Sequence, residues 1–304
     1  MLVVALLAAT AAAFALTQGL KNQPAEIFGT DVDTVFSPVC KCNSQRASIA
    51  FMLRQPDRLD VAVVDGSDHV IRTIESGRDY AKGPVEIEWD GRSDAGQVMP
   101  EGDYKPRIHL RHHRTTYTLP NPIRIDVTAP RLERVSARPR VISPDGDRRR
   151  DKMTFRYRLN EPGRGMLFVD GKRRGLTRFP RKQDSIVWNG KLRARVLAAG
   201  AHTARLAAFD PAGNVSEQTP PIQIVIRYVA LGRKRISVTA GARFALRVSS
   251  DARLVRWSLA GRSGFARPGT LRLRAPLQKG RFTLTVSANG HATRAAVFVL
   301  EPTR

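Results

Sequence analysis

The loop between Ser143 and Asp151 is the part of this sequence that most resembles a metal site. Asp145, Asp147 and Asp151 alternate with other residues along it. Alternating carboxylates converge in a tight loop, and such oxygens are the ligands that Ca²⁺ prefers. Three consecutive arginines, Arg148–Arg150, stand among these acids and would neutralise them or repel a cation. The pattern therefore favours turn-forming carboxylates paired with arginine, with calcium binding as the weaker alternative.

The two cysteines, Cys40 and Cys42, are separated by one residue. In an exported protein such thiols are expected to be oxidised. The spacing allows either a tight intrachain ring or a bond to a second chain. Metal binding would need further ligands, and the sequence has no second cysteine pair to supply them.

The histidines His109, His112 and His113 form the one local histidine cluster of the sequence. No carboxylate is placed next to them along the chain to orient a ring, so we expect solvated residues at a strand end. The sequence also has no recognisable Ser/His/Asp or Cys/His arrangement, phosphate-binding loop, dinucleotide fingerprint or zinc-protease helix. It predicts no enzyme and no cofactor.

The charge of the chain is +24 over 304 residues, and it is unevenly distributed. Residues 24–128 have 13 basic and 16 acidic side chains, residues 129–228 have 22 and 9, and residues 229–304 have 15 and 2. Strongly basic surfaces attract anionic polymers and membrane surfaces. An arginine excess is also what a GC-rich genome would produce.

The densest basic clusters are candidate polyanion-binding residues. No aromatic residues alternate with them as a base-stacking platform would require, so specific nucleic-acid recognition is not predicted. The candidates are Arg148, Arg149, Arg150, Arg173, Arg174, Arg181, Lys182, Arg233, Lys234 and Arg235.

The sequence contains an internal repeat, and the domains that it predicts would position the candidate side chains named above. Ser37-Pro38 recurs as Ser143-Pro144, and Trp89-Asp90-Gly91 recurs as Trp188-Asn189-Gly190. An offset near 100 residues indicates tandem domains of one fold, because solenoid repeats are about 20–50 residues long.

Alternating apolar residues and turn signals every 8–12 residues predict an all-β chain of tandem β-sandwiches. The predicted domains are 24–128, 129–228 (a repeat of the first) and 229–304 (a smaller, diverged sandwich). The predicted strands are 46–54, 58–65, 69–75, 84–89, 103–112 and 122–127, then 132–142, 152–159, 164–170, 184–188, 201–209 and 221–228, and last 235–238, 243–249, 254–259, 270–274, 281–288 and 294–300.

The segment from Trp89 to Tyr104 resembles the immunoglobulin-like domain first described in the flagellar hook-capping protein, which recurs in many secreted bacterial proteins. The second copy has Asn189 in place of aspartate and His202 in place of tyrosine. The resemblance implies a tryptophan in the sandwich core, a turn capped by Asp90 and glycines at positive φ. The residues given this structural role are Trp89, Asp90, Gly91, Gly102, Tyr104, Trp188, Gly190 and Gly200.

Residues 1–23 are predicted to be a targeting segment that forms a hydrophobic helix before the sandwiches. The run from Leu2 to Leu16 is uncharged, and its length fits either a cleaved signal peptide or a retained membrane anchor. The expected location is therefore the cell envelope or the extracellular space.

Together these features predict an exported binding or spacer protein that contacts anionic envelope polymers or a membrane surface through its basic second and third domains. One alternative is a structural scaffold within an extracellular assembly, which would self-associate. A calcium-dependent envelope enzyme is the third hypothesis, and it would use Asp145 and Asp147.

Overall fold

The computed structural model describes residues 7, 9–11, 25–192 and 195–301. Residues 7 and 9–11 are α-helical, and the rest of the predicted targeting segment lies outside the described residues. Among the described residues, no helix is long and apolar enough to cross a membrane. From residue 25 onward the described chain consists of strands joined by turns, which confirms the all-β prediction.

The chain divides into two compact units. The first comprises the described residues of Met1–Thr128 together with Pro211–Asn214, and the second comprises those of Ala129–Asp210 and Val215–Arg304. The first unit has one buried hydrophobic core, and the second has two separate cores.

The first unit is a sandwich of a three-stranded sheet, β1-β3-β6, and a larger sheet in the order β2-β9-β7-β4-β5 with β8 beside β7. Along β3 every second side chain is buried, and Ile49, Phe51 and Leu53 are at most 2% exposed. The strands are β1 (Ile27–Val32), β2 (Val35–Phe36), β3 (Ala47–Leu53), β4 (Asp57–Val64), β5 (Val70–Tyr80), β6 (Gly83–Trp89), β7 (Gly102–Leu110), β8 (Thr115–Thr118) and β9 (Ile123–Ile125).

The next sandwich is organised around one long strand, β12, whose first part pairs with β10 and β14 and whose second part pairs with β13 and β17. A short β15–β16 hairpin follows β14, and β11 pairs with β18. The strands are β10 (Leu132–Arg138), β11 (Val141–Ile142), β12 (Met153–Val169), β13 (Lys172–Leu176), β14 (Arg181–Trp188), β15 (Lys191–Leu192), β16 (Arg195–Val196), β17 (Gly200–Phe209) and β18 (Ile222–Ile226).

The passage of β12 from one sheet to the other depends on Gly165. Its backbone N–H donates to the hydroxyl of Tyr157 at 3.0 Å and to that of Thr177 at 2.9 Å, both in the interior. A Cβ at this position would collide with the Tyr157 ring, so the strand can cross here only at a glycine.

The last sandwich pairs a three-stranded sheet, β19-β21-β24, with a five-stranded sheet, β20-β26-β25-β22-β23. β20 runs parallel to β26 over five residue pairs, whereas β2–β9 and β11–β18 are parallel over two each. The strands are β19 (Val229–Leu231), β20 (Arg235–Thr239), β21 (Arg243–Ser250), β22 (Val255–Leu259), β23 (Arg262–Ala266), β24 (Gly269–Arg274), β25 (Gly280–Ala288) and β26 (His291–Leu300).

Several strands differ from the prediction, and three differences have a local cause. No strand was predicted before residue 46, because Gly29 interrupts the alternation of the edge strand β1 at a bulge. The predicted strand 132–142 breaks at Arg138-Pro139, where proline lacks the N–H of a ladder. The predicted strands 152–159 and 164–170 are one continuous strand, β12, with an irregularity between Arg158 and Gly163.

The repeated tryptophan turn has the same contacts in both copies. Trp89 donates from Nε1 to the carbonyl of Arg92 at 3.0 Å, and Trp188 donates to that of Lys191 at 3.1 Å. Both rings are buried. The side-chain oxygen of Asp90, and likewise that of Asn189, accepts the N–H two residues later, which caps the turn.

The glycines and the strand opener of the motif also correspond between copies. Gly91 and Gly190 have φ near +70°, and a Cβ at either would crowd the proline of the preceding Ser-Pro pair. Tyr104 Oη donates to the carbonyl of Pro100 at 2.9 Å. His202 makes the equivalent bond, so its departure from the motif preserves the contact. The two remaining motif glycines, Gly102 and Gly200, also have positive φ.

Candidate anion-binding site

The predicted polyanion-binding residues lie in three separate places of the second unit. Arg148–Arg150 are in the loop between β11 and β12, the next four are on β13 and β14, and the last three surround the start of β20. Nine of the ten are exposed, and Arg174 is half-buried.

The loop that contains Arg148–Arg150 is folded by its own acids, which accept hydrogen bonds from backbone N–H groups. Asp151 accepts the backbone N–H groups of Gly146 and Arg148, at 3.1 and 2.8 Å. Asp147 accepts that of Arg149 at 2.8 Å. Among the described residues no ion pair joins these acids to the three arginines, so the predicted pairing with arginine is not observed. Arg149 Nη1 instead donates to the backbone carbonyl of Asp251 at 3.1 Å.

The predicted grouping of Asp145, Asp147 and Asp151 needs a correction. Ligand atoms of Asp145 and Asp147 lie within 4.8 Å of Asp251, not of Asp151. Asn289 Nδ2 donates to both Asp145 and Asp147, at 3.0 and 3.1 Å. Burial raises the pKa of Asp251, and the two neighbouring carboxylates add to this effect. Asp251 is 104 residues from Asp147 along the chain, so local spacing could not identify it.

The histidine cluster has a carboxylate partner that the sequence did not reveal. Asp57, at the start of β4, accepts from His113 Nδ1 at 2.5 Å and from the backbone N–H groups of His112 and Arg58. Burial of Asp57 would raise its pKa, but these hydrogen bonds outweigh burial and hold the pKa below its usual value. The pKa of His113 is raised by its bond to Asp57. His113 is exposed just beyond the end of β7, as predicted, but Asp57 orients its ring.

His202 is held between two acceptors. Its Nδ1 lies 2.7 Å from Asp170 Oδ2, and its Nε2 lies 2.8 Å from the carbonyl of Ala198. Both nitrogens can donate at once only in the imidazolium form. Burial would lower the pKa of His202, but the bonds to Ala198 and Asp170 outweigh it and raise the pKa.

We expect the His202 contact to make the stability of its sandwich pH-dependent. The pKa of His202 is higher in the folded chain than in the unfolded chain, where it is near 6.5. The contact therefore stabilises the fold fully at pH values below 6.5, and this contribution is lost as the pH rises through the pKa of the folded state. The loss should be about 1.5–3 kcal/mol, as for a hydrogen bond to a charged group. Chemical unfolding at a series of pH values measures it. His202→Tyr introduces the tyrosine that the first copy has at the equivalent position, Tyr104, and should abolish this pH dependence. A variant that keeps the pH dependence would show that His202 is not its source.

The two cysteines form an intrachain disulfide in the first unit. Gly213, at φ +95°, packs so closely on it that a Cβ would collide with Cys42 Sγ. Residues 211–214 belong to this first unit. The intrachain alternative of the sequence analysis is the one observed.

Four arginines that are not adjacent in the sequence share the outer face of the sheet β19-β21-β24. On β21, Arg243, Ala245 and Arg247 are exposed and alternate with buried or half-buried residues, and Arg272 and Arg274 do the same on β24. The antiparallel register places Arg243 opposite Arg274 and Ala245 opposite Arg272. In the sequence, this shared face is indicated by the polar or small residues at every second position of each strand.

Three of the four arginines line a shallow groove. The groove has a volume of about 650 Å³ and its lining includes Arg243, Ala245, Arg272 and Arg274. Ala245 has the shortest side chain in this set, so it leaves space between the longer guanidinium groups. Among the described residues, none of the four arginine side chains forms an ion pair.

A second arginine-lined face lies on the sheet formed by β10, β12 and β14. Arg134 is directly opposite Arg158, and Arg156 is opposite Ser136 and Ser185. Glu133 forms an ion pair with Arg158 at 3.2 Å, so this face is partly neutralised. It borders a groove of about 820 Å³.

The first unit differs because its arginines are mostly paired with acids. The described residues of the second unit include two Lys or Arg ion pairs, Arg158–Glu133 and Lys279–Glu301. Those of the first unit include six, namely Arg46–Glu88, Arg58–Asp79, Arg72–Asp94, Arg78–Glu75, Arg107–Asp68 and Arg111–Asp60.

Comparison with known proteins gives one family match. Residues 40–110 match the family model of the FlgD Ig-like domain. No curated protein is significantly similar in sequence. The match includes the tryptophan turn but covers less than half of the chain.

Several solved structures are similar at low sequence identity. The titin I9–I11 tandem is 9% identical with a TM-score of 0.35, and the match covers 90% of this chain and all of that one. Fibronectin(III)-like modules of Clostridium thermocellum CbhA are 13% identical with a TM-score of 0.22, covering 55% of this chain and 95% of theirs. Bacteroides ovatus SGBP-B, solved with a mixed-linkage heptasaccharide, is 14% identical with a TM-score of 0.24, covering 92% and 69%. The family match to residues 40–110, together with the paired sheets and the tryptophan turn, supports an immunoglobulin-like fold.

Proposed function

We propose that this chain is an exported protein of the cell envelope that binds anionic surface polymers through residues 129–304. In this proposal residues 24–128, 129–228 and 229–304 are three successive immunoglobulin-like sandwiches. The first is a near-neutral spacer, and residues 1–23 direct export and then either are removed or anchor the protein. The role is non-enzymatic, as is typical of immunoglobulin-like structural or binding modules.

The observation that supports this function most strongly is the unneutralised arginine surface of the second unit. Residues 129–304 have 37 basic side chains against 11 acidic ones. An exposed cation with no carboxylate partner is free to attract an anion, and many such cations on one body add to a potential that concentrates polyanions near it.

Polymer binding should be strong at low salt and weak at high salt. We expect the purified chain to co-sediment with an anionic wall polymer and to be released at about 0.5–1 M NaCl, where the Debye length falls to roughly 3–4 Å. Binding is measured as the sedimented fraction at each salt concentration. A neutral polymer of equal length is the control, and equal retention by that polymer would refute the proposed function.

A further inference from the structure

The four arginines of the β21–β24 face lie in three successive cross-strand pairs. Arg243 is opposite Arg274, Arg272 is opposite Ala245, and Arg247 is opposite Thr270. Directly opposite side chains in an antiparallel pair have Cβ atoms about 4.5–5.5 Å apart. Successive outward positions on one strand are about 7 Å apart. The face therefore presents Arg243, Arg272 and Arg274 around the short side chain of Ala245, with Arg247 two residues further along β21 and outside the lining of the groove.

This arrangement is unfavourable for the isolated fold. Like charges directly opposite each other destabilise a strand pair, and here Arg243 faces Arg274. Residues 252–300 contain no aspartate or glutamate. One of the two acids that flank this stretch, Glu301, pairs with Lys279 at 3.1 Å. An anion in the groove would relieve the repulsion, so the surface is complementary to a negative ligand.

The shape of the cluster selects among anions. A guanidinium is a planar fork that donates two parallel hydrogen bonds to one anionic group. A carboxylate offers two oxygens in one plane and is matched by one such fork. A phosphate offers oxygens in several directions, so three forks around Ala245 can bind it together. Phe244 lines the groove but packs on the core from the opposite side of the strand, which leaves no exposed ring on which a neutral sugar would stack.

We propose that the groove bounded by Arg243, Arg272 and Arg274 binds the phosphate groups of a phosphodiester-linked envelope polymer. Arg247 receives the next phosphate along the same chain. The open form of the groove admits a continuous polymer, and Arg247 lies about 7 Å beyond Ala245 along β21, where it can meet a second charge of the same polymer. This inference rests on the proposed function and names the site and ligand class within it.

The test compares two double variants of the full chain. Arg272→Gln/Arg274→Gln removes two charges from the groove. Arg256→Gln/Arg294→Gln removes two exposed charges of the same sandwich from β22 and β26, on the other sheet. The ligands are a polyglycerol phosphate and, at equal charge concentration and ionic strength, polygalacturonate. Vesicles containing phosphatidylglycerol provide a third arm.

We expect the groove variant to lose at least about tenfold in affinity for polyglycerol phosphate, while the control variant loses less than about threefold. Arg272→Lys/Arg274→Lys, which retains charge but not the forks, should fall between wild type and the groove variant. Equal losses in both glutamine variants would refute the groove and leave general polyanion binding intact. Equal affinity for polygalacturonate would refute phosphate selection, and groove-dependent binding to the vesicles alone would assign the face to a membrane. No binding of wild type to any anionic ligand would refute both proposals.

Thermal unfolding gives a readout that does not depend on the ligand. Because Arg272→Gln/Arg274→Gln removes repulsion, we expect the melting temperature of this sandwich to rise by about 2–4 °C at low salt. A fall would show that these arginines stabilise the fold and would contradict the argument.

Discussion

Trp89→Ala should lower the free energy of unfolding of the first sandwich by about 3–5 kcal/mol, the cost of emptying a large buried aromatic site. Trp89 is 1% exposed, with its ring centroid 5.5 Å from that of Phe36 and 5.3 Å from that of Tyr104. The variant loses these ring contacts and its hydrogen bond to Arg92. Since small domains have a total free energy of unfolding of about 5–15 kcal/mol, this loss would leave the first sandwich with little remaining stability.

Calorimetry of the full chain can separate this loss from effects elsewhere. The transition of the first sandwich should move to lower temperature. Trp188→Ala should move another transition, because Trp188 occupies the equivalent place in the next copy. Val70→Ala is the control, since Val70 is 51% exposed and its loss should cost within about 0.5 kcal/mol. A Trp89→Ala protein as stable as the Val70→Ala protein would refute the role of Trp89 in the core.

Asp57→Asn should destabilise the same sandwich by about 3 kcal/mol or more. The Asp57 side chain has no exposed surface, and it accepts from three backbone N–H groups as well as the His113 ring. An amide retains one acceptor oxygen but turns an NH₂ group toward these donors. Loss of this acceptor leaves its donors unsatisfied, which costs about 1–3 kcal/mol for each buried donor.

The Asp57–His113 pair should also stabilise the sandwich within a defined pH window. The lowered pKa of Asp57 gives stability that is present above 3.8 and lost as pH falls through the folded value. The raised pKa of His113 gives stability that is present below 6.5 and lost as pH rises through the folded value. Urea unfolding from pH 3 to 9 should therefore show a maximum between those values.

Asp79→Asn provides the matched control. Asp79 pairs with Arg58 at 2.9 Å, but both side chains are largely exposed. Its loss should change stability by less than about 1 kcal/mol and leave the pH window intact. If Asp57→Asn behaved like Asp79→Asn, the carboxylate would not be the buried partner described above.

The sequence was sufficient for most of the fold because the signals were local. The alternation of Ile49, Phe51 and Leu53 predicts a half-buried strand without knowledge of its neighbours. The Trp-Asp-Gly turn and the glycines after it fix a loop within 16 residues. The long strand β12 was divided wrongly because Pro162 and Gly163 usually mark turns, and tertiary contacts around Gly165 decide otherwise.

The candidate sites were harder because they depend on register and on long-range contact. Asp57 meets His113 from 56 residues away, and Arg243 meets Arg274 only through the pairing of β21 with β24. Runs of adjacent arginines are easy to identify in a sequence, but adjacent residues of a strand point to opposite faces of the sheet. The arginines that share a face are two positions apart or on different strands.

The parallel strand pairs have a consequence for the proposed role as a spacer. Pulling on the two ends of a sandwich would drag its second strand and its last strand, which run parallel to each other, in opposite directions. The hydrogen bonds between these two strands would then be loaded in shear and would have to fail together. Five residue pairs join β20 to β26, against two for β2–β9 and two for β11–β18. Stretching single molecules should therefore extend the first two sandwiches at lower force than the last. The arginine-lined β21–β24 face would remain folded on its ligand while the preceding sandwiches lengthen and absorb the load.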